Sequence, residues 1–570
     1  MTTNTIEVKS EQEYNHISFL GDGTYGSVSK YITSDHKIVA IKKYKQNIIQ
    51  EGSFLSNIYT EIACLSKCCH PNIVSLLGVV LDGKNKNRCI TGIVMPLASC
   101  NLYAFYKNTN YIDLPTIKSI SYQIALGISH IHDLDILIGD IKPENVLIVM
   151  EYQQEESTNT KYHVKLCDFG MATFLIGRKG MIKTNNVYSP WYRSPEIISD
   201  NIFTHKAEVW AYGCVVYELV TRQALITPED DQDAIEQLTA LFGGYRWSLS
   251  TMTTKIEKTQ ITTDFSQQPQ RVLATPTRHT LISTWSLIQR RLQPQIYEFL
   301  TKIFQIDYQQ RPSMKEILSD SFFTDVDYKI QSLSPVVCNS NMWPTVTERT
   351  RKIIRKCIPL LIEYMRKDPH IIHIVIYLCR RACNDTYFND FSSDDDELMV
   401  LSCAYITMIL HDRIYEPSYV LSAWGYAPNI TRTIIDKFLD MQTFVIKQVS
   451  GNLMPLVVSK RIEEIYSTED TDFLACAKCI SLIICMELSL SEDVIVTTSM
   501  QLAKRIMKGT IIKIIDSSLK SILETILIIL DRSDPIINTA LNTFIYGYIT
   551  ITAIRSTCGK LLECNNITIE

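Results

Sequence analysis

Three closely spaced glycines near the start of the chain restrict the fold more than any other feature. Gly21, Gly23 and Gly26 lie in the stretch GDGTYGSV, between two runs rich in β-branched residues. Such glycines let a backbone approach a phosphate, but the same spacing occurs in dinucleotide-binding folds and in ordinary hairpins. Dinucleotide-binding folds continue into a helix, whereas here a second strand follows and then VAIK, residues 39 to 42. This order predicts a phosphate-binding hairpin within a β-sheet.

The remaining pattern divides the chain into one strand-rich and two helix-rich parts. Short β-branched runs separated by turn residues extend from about 14 to 100. Helical periodicity dominates from about 101 to 323, interrupted at 251 to 283 by a stretch rich in Thr, Gln and Pro, which we interpret as a surface insertion. Residues 324 to 346 are the predicted linker, and 347 to 570 again follow a helical pattern.

Length and composition limit the class of protein. A chain of 570 residues exceeds what one hydrophobic core usually supports, so we expect at least two domains. The net charge of −5 gives no electrostatic basis for binding nucleic acid or an anionic membrane. The first residues have no signal-peptide pattern, and no apolar run has the length of a membrane span. We therefore expect an intracellular protein, cytoplasmic or nuclear, with neither nucleic acid nor membrane as a partner.

Lys42 is a candidate phosphate ligand on the strand that follows the glycines. It comes directly after apolar residues that face a core, where an unpaired ammonium group is costly. Glu61, in the helical segment LSNIYTEI, is the natural protein partner, and nucleotide phosphates would be the second anion. The alternative is a solvated strand lysine without a specific role.

A second group of polar residues lies in HDLDILIGDIKPENVLIVM, residues 132 to 150. Asp140, Lys142 and Asn145 have spacings that suit a phosphoryl-transfer loop, and Asp168 of CDFG follows. Asp140 would orient the incoming hydroxyl and take its proton, and Lys142 would hold the γ-phosphate. Asn145 and Asp168 would bind Mg²⁺. Each residue alone could be a turn former or a helix cap, but together they occur in a coherent order.

These segments together resemble the protein-kinase signature set, over about residues 14 to 323. The resemblance implies an α+β bilobal kinase fold, with an N-lobe at about 14 to 97 and a C-lobe at about 98 to 323. It also implies ATP and Mg²⁺ as cofactors.

The site residues implied by the resemblance fall into three sets. The catalytic set is Asp140, Lys142, Lys42 and Glu61, and the metal-binding set is Asn145 and Asp168. The ATP-binding set is Gly21, Asp22, Gly23, Thr24, Tyr25, Gly26, Ser27, Val28, Ala40, Lys42, Met95, Leu97 and Ala98. Within it, Met95 would be the gatekeeper, and residues 96 to 98 the hinge to adenine.

Several stretches narrow the resemblance to the cyclin-dependent kinases. DIKPEN is similar to serine/threonine kinases, while VYSPWYRSPE, residues 187 to 196, and the segment 217 to 244 are similar to the cyclin-dependent group. LSNIYTE, residues 55 to 61, stands where that group has its PSTAIRE helix. The resemblance implies protein substrates phosphorylated on Ser or Thr. Arg193 implies that proline is preferred after the phosphorylated residue, and Arg311 would pair with Glu196 as a structural brace.

The C-terminal region resembles a cyclin box in two stretches. LMVLSCAYITMILHDRIYEP and ITRTIIDKFLDMQTFVIKQVSGNL are similar to its third to fifth helices, with Leu410 and Gln442 where cyclins carry Lys and Glu. This implies an all-α, cyclin-like domain at 347 to 570 that activates the kinase in cis. An unrelated helical bundle is the alternative. Such kinase and cyclin fusions look like those of large DNA viruses, which would place the protein in a host cell.

Three departures from the kinase pattern raise a rival interpretation. Ile138 and Gly139 replace the usual His and Arg before Asp140, and Glu208 replaces an Asp that hydrogen-bonds the catalytic-loop backbone. A pseudokinase scaffold, or a nucleotide-binding regulator that transfers no phosphate, would tolerate such changes. Because every group that touches ATP or metal is present, we favour an active enzyme.

The chain also lacks the cations that usually read a phosphorylated activation loop. Related kinases place three arginines around a phosphothreonine, and the matching positions here are Thr60, Gly139 and Thr173. We therefore expect activity that does not depend on phosphorylation of Thr184, the matching acceptor. The alternative is a substitute pocket formed by cations of GRKGMIK, namely Arg178, Lys179 or Lys183.

Overall fold

The computed structural model describes a large part of the chain. The described residues are 7–23, 26–45, 55–81, 90–151, 161–175, 182–183, 187–243, 285–326, 328, 349–350, 353–354, 369–383, 395–411, 417–422, 432–448, 462, 477–478, 480–481, 495–497, 499–500 and 503. The positions of several sequence predictions lie outside these residues, namely the insertion 251–283, most of the linker 324–346, and Thr24, Tyr25, Arg178, Lys179 and Thr184.

Strands occupy mainly the first part of the described chain. They are β1 (Glu7–Ser10), β2 (Tyr14–Asp22), β3 (Gly26–Thr33), β4 (Ile38–Tyr44), β5 (Gly78–Leu81), β6 (Ile90–Pro96), β7 (Cys100–Asn101), β8 (Ile136–Leu137), β9 (Val146–Glu151), β10 (Lys161–Leu166), β11 (Thr173–Phe174), β12 (Ile182–Lys183) and β13 (Ile202–Phe203).

Helices occupy most of the remaining described chain. They are α1 (Leu55–Lys67), α2 (Leu102–Asn108), α3 (Leu114–Asp133), α4 (Pro195–Asp200), α5 (His205–Thr221), α6 (Asp231–Phe242), α7 (Trp285–Ile288), α8 (Pro294–Ile303), α9 (Met314–Leu318), α10 (Pro369–Ala382), α11 (Asp395–Leu410), α12 (Pro417–Leu421) and α13 (Arg432–Gln448). Short 3₁₀ turns lie at Glu11–Glu13, Pro143–Asn145, Pro190–Tyr192, Tyr308–Gln310 and Ser321–Phe323.

The chain forms two compact units, which are described separately. The first comprises Met1–Cys69, Val74–Leu97 and Ser332–Glu570, and the second comprises His70–Ile73 and Ala98–Gln331.

The first unit contains a six-stranded sheet with the order β1-β5-β6-β4-β3-β2. The β1–β5 pair is parallel, and the other neighbours are antiparallel. Strands β4, β5 and β6 are buried over most of their length, whereas β2 is mostly exposed. The buried cluster on this sheet consists of Tyr14, Tyr31, Val39, Ile41, Val80 and Val94.

Helices from the C-terminal region belong to this same unit. Helix α11 is central, since it is buried along almost its whole length from Leu398 to Leu410. It packs against α10, α13 and α1. A helix that is apolar on all sides is stable only when other helices enclose it, which explains this central position. No helix in the described part of the chain is both long and apolar enough to cross a membrane.

The second unit is mainly helical, around α3 and α5. Asp113 caps α3 by accepting a hydrogen bond from the Thr116 N–H group, which fixes where the helix begins. Helix α5 packs on α3 and on α8, and Gly213 permits the second contact because a Cβ there would lie 2.5 Å from Ile303. The tight packing holds α5, and with it Glu208, in a fixed position.

Candidate active site

The glycine stretch forms the expected hairpin between β2 and β3. Gly21 is paired with Val28 and Asp22 with Ser27, and the N–H group of Gly23 donates to the Gly26 carbonyl at 2.8 Å. A Cβ at Gly26 would lie well inside van der Waals distance of the Lys43 carbonyl on β4. The glycine therefore allows β3 and β4 to approach closely beside the candidate phosphate-binding turn.

The other candidate ATP-binding residues of the first unit lie on neighbouring strands. Ala40 on β4 is paired with Met95 on β6, and Val28 on β3 is paired with Lys42 on β4. Leu97 follows β6 and is the last residue of this segment of the first unit. The next candidate, Ala98, begins a segment of the second unit.

Lys42 and Glu61 form a buried ion pair in the first unit. Lys42 Nζ lies 3.0 Å from Glu61 Oε1 and 2.8 Å from Oε2, and the two side chains are 9% and 1% exposed. Breaking such a pair would leave an uncompensated buried charge, so each residue holds the other in place. The structure thus brings together the strand lysine and the helix glutamate that the sequence predicts as partners.

Tyr44 is a third member of this group that the sequence interpretation missed. Its hydroxyl donates to Glu61 Oε2 at 2.9 Å. Tyr44 lies two residues after Lys42 on β4, and alternate residues of a strand face the same side. That periodicity was the available signal, because it places any polar residue at 44 beside the lysine.

Asp140, Lys142 and Asn145 lie together in the second unit. Lys142 Nζ is 2.6 Å from Asp140 Oδ2. Asn145 Nδ2 donates to the Asp140 carbonyl at 2.8 Å and to Asp140 Oδ2 at 3.0 Å. The 3₁₀ turn Pro143–Asn145 brings residue 145 back to residue 140. Two side chains therefore orient the Asp140 carboxylate.

Asp168 is positioned by the residue before it. The Cys167 N–H group donates to the Asn145 carbonyl at 3.0 Å, so the chain around Asp168 runs beside Asn145. Asp168 has a φ of 62°, a left-handed conformation that non-glycine residues seldom adopt and that is typical of functional sites. Phe169 is completely buried and Ile138 is nearly so, as expected for packing residues.

The oxygen donors in this unit suit Mg²⁺. The amide nitrogen of Asn145 faces Asp140, which turns the amide oxygen away from that carboxylate. This oxygen and the Asp168 carboxylate are hard ligands, and Mg²⁺ in nucleotide sites takes few protein ligands because phosphates and water supply the rest. The described residues contain no cluster of three or more His, Cys, Asp or Glu that would form a metal site made only of protein ligands.

Glu208 stands where the kinase pattern has an aspartate, and it still binds the backbone of the catalytic loop. Its Oε1 accepts hydrogen bonds from the N–H groups of Ile138 at 2.7 Å and Gly139 at 2.9 Å. Its Oε2 lies 2.8 Å from His132 Nε2. Gly139 has a φ of 80°, and a Cβ there would lie 2.5 Å from the Met171 carbonyl oxygen. The catalytic-loop backbone is therefore anchored despite all three departures from the kinase pattern.

Arg193 holds two carbonyl groups of the segment that precedes it. Its Nε donates to the carbonyl oxygens of Val187 at 3.0 Å and Tyr188 at 3.2 Å, and its Nη1 pairs with Asp231 at 2.8 Å. Tyr188 has a φ of 62°, which turns its carbonyl toward the arginine. Tyr188 thus adopts a left-handed conformation while its carbonyl accepts from the arginine.

Arg311 and Glu196 form a bidentate ion pair in the same unit. The two nitrogen–oxygen distances are both 2.7 Å, and both side chains are buried. Two parallel hydrogen bonds between a guanidinium and a carboxylate give a rigid connection, as expected for a brace.

Comparison with known proteins agrees with the fold and with the two groups of site residues, around Lys42 and around Asp140. The family model described as "Protein kinase domain" matches residues 14–323, which is more than half of the chain. The chain therefore belongs to the protein kinase family.

Its similar proteins include kinases of the cyclin-dependent type. The chain is 31% identical over 246 residues to "Probable cyclin-dependent kinase 8" of Dictyostelium discoideum, covering 41% of this chain and 62% of that protein. It is 32% identical over 237 residues to "Cyclin-dependent kinase-like 2" of Rattus norvegicus, covering 41% and 43%. It is 28% identical over 320 residues to "Probable dual specificity protein kinase YAK1 homolog" of Encephalitozoon cuniculi, covering 55% and 73%. The match thus spans less than two thirds of the first of these relatives.

Proposed function

We propose that the protein is an active serine/threonine kinase that uses ATP and Mg²⁺. The observation that carries this proposal is the geometry around Asp140, whose Oδ2 is held by Lys142 and Asn145. This leaves Oδ1 to orient an incoming hydroxyl and accept its proton. Lys142 also lies next to where the transferred phosphoryl group would pass, so it can stabilise the charge there.

The remaining groups fit the binding of ATP. Lys42, oriented by Glu61, presents an ammonium group to the nucleotide phosphates, and the glycine hairpin presents its backbone to them. Asn145 and Asp168 would hold Mg²⁺, which neutralises phosphate charge when bound. A pseudokinase scaffold is less well supported, because Glu208 still accepts both backbone hydrogen bonds of the catalytic loop.

We further propose that the C-terminal helices activate the kinase in cis. Helix α1, which carries Glu61, packs against α11, and the Tyr59 hydroxyl on α1 donates to Gln442 Oε1 on α13 at 2.7 Å. Gln442 stands where the cyclin resemblance places a glutamate that grips the kinase. A tether raises the effective concentration of a partner to roughly millimolar, so one neutral hydrogen bond with apolar packing can be enough.

Proline-directed specificity is supported by Arg193. The arginine engages the Tyr188 carbonyl, so this carbonyl is not available to an N–H group of a bound substrate. A residue with an N–H group after the phosphorylated position would lose a hydrogen bond on binding, whereas proline has no N–H group to satisfy.

Activation without loop phosphorylation is supported by the residues at the three arginine positions. Thr60 and Thr173 are buried, and Gly139 has no side chain. Around these positions a phosphate would gain none of the charge-assisted pairs that the three arginines provide.

Phosphate transfer by the full chain tests the proposal. We expect the purified protein to label serine or threonine in a peptide with radiolabelled ATP and Mg²⁺, and to lose this activity without Mg²⁺. Asp140→Asn and Lys42→Met should each lower kcat/KM by ~10²-fold or more, because each removes a positioned base or a phosphate contact. If the wild-type rate equals that of both variants, the scaffold interpretation is correct.

A further inference from the structure

Tyr188 connects the end of the activation segment to the catalytic loop through two separate hydrogen bonds. Its N–H group donates to the Gly139 carbonyl at 2.8 Å. Its hydroxyl donates to Glu208 Oε1 at 2.9 Å. The side chain is buried, with 6% of its surface exposed. Because Gly139 immediately precedes Asp140, the first of these bonds ends beside the proposed catalytic base.

Glu208 Oε1 joins the two segments. It accepts from the Ile138 and Gly139 N–H groups as well as from the Tyr188 hydroxyl, and the carboxylate is fully buried. Burial and the nearby Glu208 charge raise the pKa of Tyr188 well above its usual value, so the hydroxyl remains protonated and donates. A hydrogen bond to a buried carboxylate is stronger than one between neutral groups.

The third polar group of Tyr188 is also engaged. Its carbonyl accepts from Arg193 Nε, the contact on which the proposed proline preference depends. The left-handed turn at Tyr188 is therefore fixed by its N–H group, its carbonyl and its hydroxyl together. Such a turn is intrinsically unfavourable for a residue with a large side chain, so it persists only when neighbouring contacts hold it.

We propose that Tyr188 is a positioning residue whose hydroxyl, bound to Glu208, replaces the phosphate as the connection between the activation segment and the catalytic loop. This rests on the proposed function and assigns its regulation to two particular side chains. In the related kinases an arginine at position 139 would reach a phosphothreonine. Here position 139 is a glycine and has no side chain to make this connection. The connecting side chain is instead that of Tyr188, on the activation segment, which bonds Glu208.

Tyr188→Phe removes the hydroxyl and keeps the ring, the backbone and every residue that would touch substrate. We expect hydrogen exchange in residues 187–193 of the full chain to become at least ~10-fold faster, because the remaining N–H contact to Gly139 opens more often. We also expect kcat/KM for a Ser-Pro peptide to fall ~10-fold, with KM for ATP unchanged.

Tyr212→Phe is the control. Tyr212 is also a buried tyrosine of the second unit, and its hydroxyl donates to the Ser121 carbonyl at 3.1 Å, away from residues 187–193. Losing that bond should lower the stability of the unit without altering exchange in residues 187–193 or the KM for peptide. A purely structural role for Tyr188 would make the two variants behave alike.

The outcomes separate this proposal from the proposed function. Equal exchange in residues 187–193 for wild type, Tyr188→Phe and Tyr212→Phe would overturn the positioning role, whatever the activity. Faster exchange in Tyr188→Phe alone, in a chain that transfers no phosphate, would retain the connection and reject the kinase activity. If Tyr188→Phe does not fold, Glu208→Gln replaces it. That variant keeps an oxygen for the loop N–H groups but weakens the Tyr188 bond, so unchanged exchange there would also overturn the proposal.

Discussion

At the scale of single residues, Glu208 stands where the kinase family has an aspartate and makes the contact of that aspartate with the catalytic-loop backbone. Glu208 is one methylene longer than the usual aspartate, yet its Oε1 still accepts from both loop N–H groups. The longer side chain also bonds Tyr188, and its second oxygen meets His132. Residue type alone therefore indicated a lost contact that the structure retains.

Tyr44 provides a residue-scale prediction. Tyr44→Phe removes the hydroxyl that donates to Glu61 Oε2, so Glu61 should be less firmly oriented toward Lys42. We expect KM for ATP to rise by about 3- to 10-fold with a smaller change in kcat, since a hydrogen bond to a charged group contributes on the order of 1.5–3 kcal/mol and part of this is lost. Steady-state kinetics with varied ATP measures it. Tyr31→Phe, in the same sheet and also buried, is the control and should leave KM unchanged.

The sequence predicted those side chains whose role follows from local order along the chain. The glycine hairpin, Lys42 and the Asp140 loop fall within short motifs, and Glu61 follows from helix placement. Tyr44 was missed although strand periodicity places it beside Lys42. The contact of the Tyr188 hydroxyl was missed because it joins a loop residue to a carboxylate on a separate helix. Such contacts depend on how elements pack, and no spacing rule specifies them.

At the scale of secondary-structure elements, we propose that the segment from residue 187 to 193 sets the preference for proline after the phosphorylated residue. Arg193→Lys removes the Nε donor and should release the Tyr188 carbonyl, which could then accept from a substrate N–H group. We expect the ratio of kcat/KM for Ser-Pro to Ser-Ala peptides to fall by about 10-fold. The reason is that the N–H group of the alanine in the Ser-Ala peptide gains the Tyr188 carbonyl as its acceptor. A peptide pair differing only at that position measures it.

Asp231→Asn is the control for the arginine. It weakens the ion pair at Nη1 while Nε keeps both carbonyl contacts, so the proline preference should persist. If wild type does not distinguish the two peptides, the proposed specificity is wrong and the proposed phosphate transfer is unaffected.

Contact between α1 and the C-terminal helices gives the second element-scale prediction. Gln442→Ala removes the acceptor for the Tyr59 hydroxyl and leaves a small cavity where α13 meets α1. We expect kcat to fall by roughly 5- to 20-fold because Glu61 lies on the same helix as Tyr59, and Tyr59→Phe in the same background should add little.

Thr443→Ala is the matched variant on α13, since its hydroxyl donates to the Leu439 carbonyl of its own helix. It should keep near wild-type activity. An increase in activity in Gln442→Ala would indicate instead that the C-terminal helices inhibit the kinase.

At the scale of the whole molecule, the sequence was most informative about the kinase part. A sheet-rich lobe and a helical lobe follow from β-branched runs, glycine turns and helical periodicity, each of which acts locally. The C-terminal region was recognised as helical, but its resemblance to a cyclin box remains a prediction. Helix α11 is apolar on all sides, so its periodicity gives no information about which neighbours enclose it.

We propose that this chain is a kinase whose own residues hold it active, without a phosphorylated loop. The most direct test is the initial rate of phosphate transfer from ATP to a Ser-Pro peptide by the full chain after phosphatase treatment and removal of the phosphatase. Thr184→Ala and Asp140→Asn are measured in parallel. We predict that the treated protein and Thr184→Ala stay within a few-fold of the untreated wild type and well above Asp140→Asn. Rates that fall to the level of Asp140→Asn in either case would contradict the claim, and would indicate that cations such as Arg178, Lys179 or Lys183 bind a phosphate on which activity depends.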